Sequence, residues 1–152
     1  MIRQHHPTTR VFGLALAATM ALLVSSCGSS SHQQPSGKIT VHATETSKAQ
    51  DVTNGGVAGT GQFTISGAIT DKGTATDYRT VKGNTAIIRR VVVGSKGTIT
   101  FVITIHLGTP SAETWTITSG TSTYKGLHGK GLETVDNFDT TPATFTLVGT
   151  VS

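Results

Sequence analysis

The chain has 152 residues, of which 36% are hydrophobic and 13% charged, with twelve Lys/Arg against eight Asp/Glu. This is one domain's length, and its low charge with abundant Thr, Val, Ile and Gly reads as strand-rich rather than disordered. The basic surplus does not make a nucleic-acid footprint. Setting Arg3 and Arg10 aside as parts of a leader leaves ten basic residues against eight acidic ones, a net of +2, scattered except for Arg89-Arg90.

Residues 1–26 read as a cleaved signal peptide. Arg3, His5, His6 and Arg10 form a basic start, and residues 11–24 form an apolar run of fourteen residues. Such a run is too short for a membrane-spanning helix of about twenty residues but suits a signal core. It ends in Val24-Ser25-Ser26-Cys27. This arrangement, an aliphatic residue, two small residues and then Cys, resembles the lipobox of bacterial lipoprotein signal peptides. The resemblance implies cleavage between Ser26 and Cys27 and a diacylglyceryl group on the Cys27 thiol. Cys27 is the single cysteine, so no disulfide competes for it. Two acyl chains anchor stably where one is marginal, which places the protein on the outer side of a cell membrane. Residues 27–37 then form a polar tether, G-S-S-S-H-Q-Q-P-S-G after the cysteine.

Residues 38–152 read as strands throughout. Thr occurs 29 times, 26 of them after Cys27, and the many Val, Ile and Gly residues add to a strand-rich, extracellular composition. Ile39, Val41 and Ala43 alternate with Thr40, His42 and Thr44 as one half-buried strand. Residues 51–61 are turn-rich. Residues 62–70 alternate again, with Phe63, Ile65 and Ile69 on one face and a bulge position at Gly67. Residues 71–84 are polar, bounded by turn signals, with room for one short edge strand around Tyr78. Residues 85–93 and 98–107 form the strongest pair, joined by the hairpin-length Gly94-Ser95-Lys96-Gly97. In the second of these, Ile99, Phe101, Ile103, Ile105 and Leu107 share one face, and His106 lies on the other, Thr-rich face. Strands follow at Trp115, at 132–137 and at 143–151. No capped helical period occurs after Cys27. The reading is an all-β antiparallel barrel of about eight strands, with a β-sandwich as the alternative. A barrel removes the edges along which long Thr/Val/Ile strands would pair between molecules.

The stretch S-G-T-S-T-Y-K-G-L-H-G-K-G at 119–131 sets Gly120, Gly126, Gly129 and Gly131 around Tyr124 and Leu127. Such glycines mark positive φ or backbones in close approach. From Trp115 onward the pattern W-x-I-x-x-G-T-x-x-Y-x-G-L-x-G-x-G resembles the small barrels of the allene oxide cyclase and dirigent type, including bacterial secreted relatives. It departs from that pattern at Ser122, where the family often has Gly. The resemblance implies an eight-stranded barrel with a lined cavity and the homotrimer often formed by plant members. It transfers no catalytic residue.

Chemistry is sparse in the sequence. No G-x-S-x-G is present, and His32, His42, His106 and His128 show no metal-ligand spacing, so no catalytic residue, metal or cofactor is assigned. Glu133, Asp136 and Asp139 read as a solvated strand end rather than a paired-carboxylate site. Arg89 and Arg90 point to opposite faces of one strand, so one enters the barrel interior. There it needs a carboxylate such as Glu113, or an anionic ligand, because an unpaired buried charge is costly. Three functions follow. The leading one is an envelope lipoprotein that binds a small or amphipathic ligand in the barrel, with Trp115, Tyr124 and Arg89 or Arg90 as contacts. The others are an interaction protein with a filled barrel and, last, a cyclase-like isomerase using a cavity carboxylate.

Overall fold

The computed structural model describes residues 33–108, 113–136 and 141–152. The expected signal peptide, the expected cleavage and lipidation site at Ser26–Cys27, most of the expected tether at 27–37, and Asp139 lie outside the described residues. Eight strands run in chain order: β1 Gly37–Ser47, β2 Gly59–Gly67, β3 Asp71–Lys82, β4 Thr85–Gly94, β5 Gly97–His106, β6 Glu113–Gly120, β7 Gly129–Asp136 and β8 Ala143–Val151. Each pairs antiparallel with the next, and β8 returns to β1, so the sheet closes into a barrel with no edge strand. Short 3-10 turns at Val52–Asn54 and Ser122–Tyr124 complete the described elements.

Alternation decides what fills the barrel. Ile39, Val41 and Ala43 of β1 are buried, as are Phe63 and Ile65 of β2 and Ile99, Phe101 and Ile103 of β5. Their neighbours Thr40, His42, Thr64, Thr100 and Thr104 point outward, where Thr suits a pleated, wet surface. Trp115 sits in this core, edge-on to Phe101 with centroids 5.5 Å apart, and its Nε1 donates to the Leu132 carbonyl at 3.1 Å. The indole finds room because Gly131 and Gly149, partners across β7 and β8, have no side chain there. A Cβ on Gly131 would come within 2.7 Å of Trp115 Cζ2.

One end of the barrel is closed by Asp71, Tyr124 and Leu127. Asp71 gathers three turns. Its carboxylate accepts from the Lys72 amide at 2.8 Å, the Ser95 hydroxyl at 2.9 Å, the Lys96 amide at 3.1 Å and the Tyr124 hydroxyl at 2.9 Å. Burial alone would raise the Asp71 pKa, but these donors hold it down to about 2. The same pairing, added to burial, raises the Tyr124 hydroxyl above its ordinary value. Tyr124 and Leu127 are 1% and 2% exposed, and they pin the glycine-rich stretch over the core.

Two sequence expectations need correction. Residues 71–84 do not form a short edge strand. They form β3, twelve residues long and bonded on both sides. Its apolar alternation is absent because part of its inward face, Asp77 and Arg79, lines a polar space. The glycine-rich stretch, read from sequence as a fold-signature turn, is turn only at its centre, although both expected causes of its glycines occur. Gly126 alone of the four adopts positive φ, at 81°, whereas Gly129 and Gly131 are inward positions of β7 where neighbouring strands come close.

Candidate functional site

The apolar packing stops part-way along the barrel, at Arg90. β4 points Arg89 outward, with its guanidinium 4.1 Å above the Tyr78 ring, and points Arg90 inward, where it is 1% exposed. Asp77 is the residue opposite Arg90 in the β3–β4 ladder, so register alone brings the pair together. Arg90 Nε donates to Asp77 Oδ1 at 2.9 Å and Nη2 to Oδ2 at 2.8 Å, a bidentate fork. Nη1 donates across the barrel to Glu133 Oε1 at 2.7 Å. The guanidinium also lies 4.4 Å from the centre of the Phe145 ring. Burial alone would lower the Arg90 pKa, but Glu133 and Asp77 outweigh it, and the arginine stays charged.

Above this ion triad the barrel is hollow. A cavity of about 430 Å³ opens toward the end formed by the start of β4, β6 and β8 and the close of β3, β5 and β7. Ala86, Ile88, Ile105, Val135 and Phe145 give it apolar walls. Asp77, Glu133 and Arg90 form its polar floor, with Glu45 and Glu113 beside them. Lys48 and Arg79 also line it, Arg79 two residues beyond Asp77 on β3. The size, the apolar walls and the few converging polar groups match small-molecule sites in general.

The carboxylates are not equivalent. Burial, with Glu113 and Asp77 nearby, pushes the Glu133 carboxyl up to about 7 in spite of Arg90. Burial also raises Glu45, opposed by the Ala49 amide that donates to its Oε1 at 2.8 Å. Glu113 is raised by burial and lowered by Arg90. Glu113 and Glu133 are direct partners across the β6–β7 ladder, both facing inward. Glu133 has the guanidinium, whereas the buried Oε2 of Glu113 has no hydrogen-bond partner among the described residues.

The residues singled out from sequence therefore separate. Arg90 forms the cavity floor, and Arg89 lies on the outer wall. Trp115 is packed below the cavity, and Tyr124 belongs to the Asp71 closure; neither is among the cavity-lining side chains. The carboxylates that hold Arg90 are Asp77 and Glu133, rather than the Glu113 named from sequence. Glu133 is 3% exposed, so reading it as a solvated strand end is also corrected. Asp136, three residues on, does face outward. His42, His106 and His128 are exposed, and no cluster suited to a metal ion occurs among the described residues. What sequence reasoning missed is Asp77. Its signal was parity: Asp77 is inward on any strand that also buries Ala75.

Comparison with protein-family models, with curated proteins and with solved structures returns no match.

Proposed function

We propose that this protein is a lipid-anchored binding protein of the cell envelope that holds a small amphipathic molecule inside its barrel. One observation carries the reading: a cavity of about 430 Å³ with apolar walls and a charged, hydrogen-bonding floor at one end of a barrel packed solid at the other. A barrel with only structural duties has no reason to leave a cavity of this size unfilled, because filling it with apolar side chains would stabilise the fold. The lipobox at 24–27 supports the location, since a thioether-linked diacylglyceryl group would hold the domain at the membrane face.

The test is native mass spectrometry of the full processed chain, purified from its own host, alongside Ala86→Trp. Ala86 is 1% exposed and lines the cavity, so an indole there occupies the space. The expected result is an extra mass lost on denaturation and absent from Ala86→Trp, with the far-ultraviolet spectrum of the variant unchanged. A bare protein mass, together with no binding of apolar probes, points instead to an interaction protein working through its outer surface.

A further inference from the structure

The charges around the cavity define what its ligand must carry, given that the cavity binds one at all. Its lining holds three cations, Lys48, Arg79 and Arg90, and four carboxylates, Glu45, Asp77, Glu113 and Glu133. Arg90 is spent: its fork is closed on Asp77 and its remaining arm on Glu133. An anion bound at Arg90 would have to break that triad and leave two buried carboxylates uncompensated. Glu45 accepts from the Ala49 amide and has Lys48 near enough to lower its pKa. Glu113 is the carboxylate left over. Its Oε2 is sealed from bulk water and has no donor among the described residues. A second carboxylate, Glu133, faces it directly across the β6–β7 ladder. Two adjoining carboxylates of which only one holds a guanidinium arm are an arrangement that either traps a proton or accepts a cation.

We infer that the ligand is an organic cation, an ammonium or amidinium group on a compact apolar body, whose N–H groups donate to Glu113 and Glu133. The body then lies against Ile88, Ile105, Val135 and Phe145, the apolar wall. Glu113 lines the cavity, and the head group's charge offsets a carboxylate that holds no guanidinium arm of its own, which makes the hydrogen bond between them a strong one. Arg79 lies further out on the wall, and the charged groups that act on Glu113 are Arg90 and the facing Glu133. The inner end of the cavity is therefore selective for positive charge even though its outer part carries both signs.

Three probes of one shape and different charge test this: tryptamine, tryptophol and indole-3-acetate. Each is titrated calorimetrically into the full chain in a non-ionic detergent, with detergent alone as the blank. Tryptamine should bind at least tenfold more tightly than tryptophol, and indole-3-acetate should give no heat. Glu113→Gln keeps the shape and removes the charge. It should weaken tryptamine about tenfold or more and leave tryptophol unchanged, the loss expected for one charge-assisted hydrogen bond. Equal binding of tryptamine and tryptophol, or tighter binding of the acetate, overturns the cation assignment while leaving a ligand-binding cavity in place. Absence of binding by all three overturns both the cation assignment and the cavity's role. Because the wild-type series needs no variant, the outcome does not depend on Glu113→Gln folding well.

Discussion

Arg90 and its two carboxylates are the residues on which the interior depends. Arg90→Met keeps the volume and apolar stem but leaves Asp77 and Glu133 buried without their partner, at a cost of about 3–5 kcal/mol. Arg89→Met, one residue away on the outer face, removes only a surface contact with Tyr78 and should change stability by less than about 1 kcal/mol. Chemical denaturation of the two variants measures the contrast, and equal losses would show that Arg90 is not held as described. The carboxyl groups make a second prediction. Glu133 has a folded pKa raised to about 7, so the fold prefers its protonated form. Its contribution is fully present below the unfolded value and is lost as pH rises through about 7. Asp71 has the opposite sign: its pKa is lowered to about 2, so its contribution is lost as pH falls from the ordinary carboxylate range toward that value. The thermal midpoint should therefore peak at roughly pH 4–5 and decline toward pH 8, and Glu133→Gln should flatten the decline. A midpoint that rises steadily from pH 5 to 8 would contradict this.

At the scale of single elements, the strands rich in aliphatic residues were plain in the sequence, and those with polar or glycine residues at inward positions were not. β5 alternates because one face meets core and the other meets water, β4 is an aliphatic run broken only by Arg89-Arg90, and their loop is marked by Gly94 and Gly97. β3 has Ala75, Asp77 and Arg79 inward and Thr74, Thr76 and Tyr78 outward, so neither face reads as apolar. β7 hides similarly, because Gly129, Gly131 and Glu133 occupy inward positions that would ordinarily be aliphatic. Their glycines have a steric cause that can be tested. Gly131→Ala would drive a Cβ against the Val148 carbonyl and Trp115, costing about 1–3 kcal/mol through overpacking. Trp115 fluorescence should shift as its pocket distorts; an unchanged spectrum and midpoint would mean that the indole does not rest on Gly131. Tyr124→Phe removes one donor to Asp71 while keeping the ring, and a loss of about 1–2 kcal/mol is expected in urea.

On the scale of the whole molecule, the barrel encloses a chamber, and the anchor proposed at Cys27 makes a prediction of its own. Cys27→Ser is expected to shift the protein from the membrane fraction to the soluble fraction; a variant that stays membrane-bound and correctly processed would remove the anchor reading. The sequence by itself determined the strand-rich class, the likelihood of closure and the two-faced character of most strands, because alternation and turn glycines are local properties. It also determined that Arg89 and Arg90 take opposite faces, since parity needs no partner. Tertiary structure alone decided which of them is inside, and that its partners are Asp77, thirteen residues earlier, and Glu133, forty-three later. Tertiary structure also decided where packing ends and the cavity begins. The physical reason is that a barrel brings residues from eight strands to one level of its axis. Whether that level is filled by Trp115 and Phe101 or left open above Arg90 depends on the sum of side-chain volumes around the ring. No stretch of sequence contains that sum.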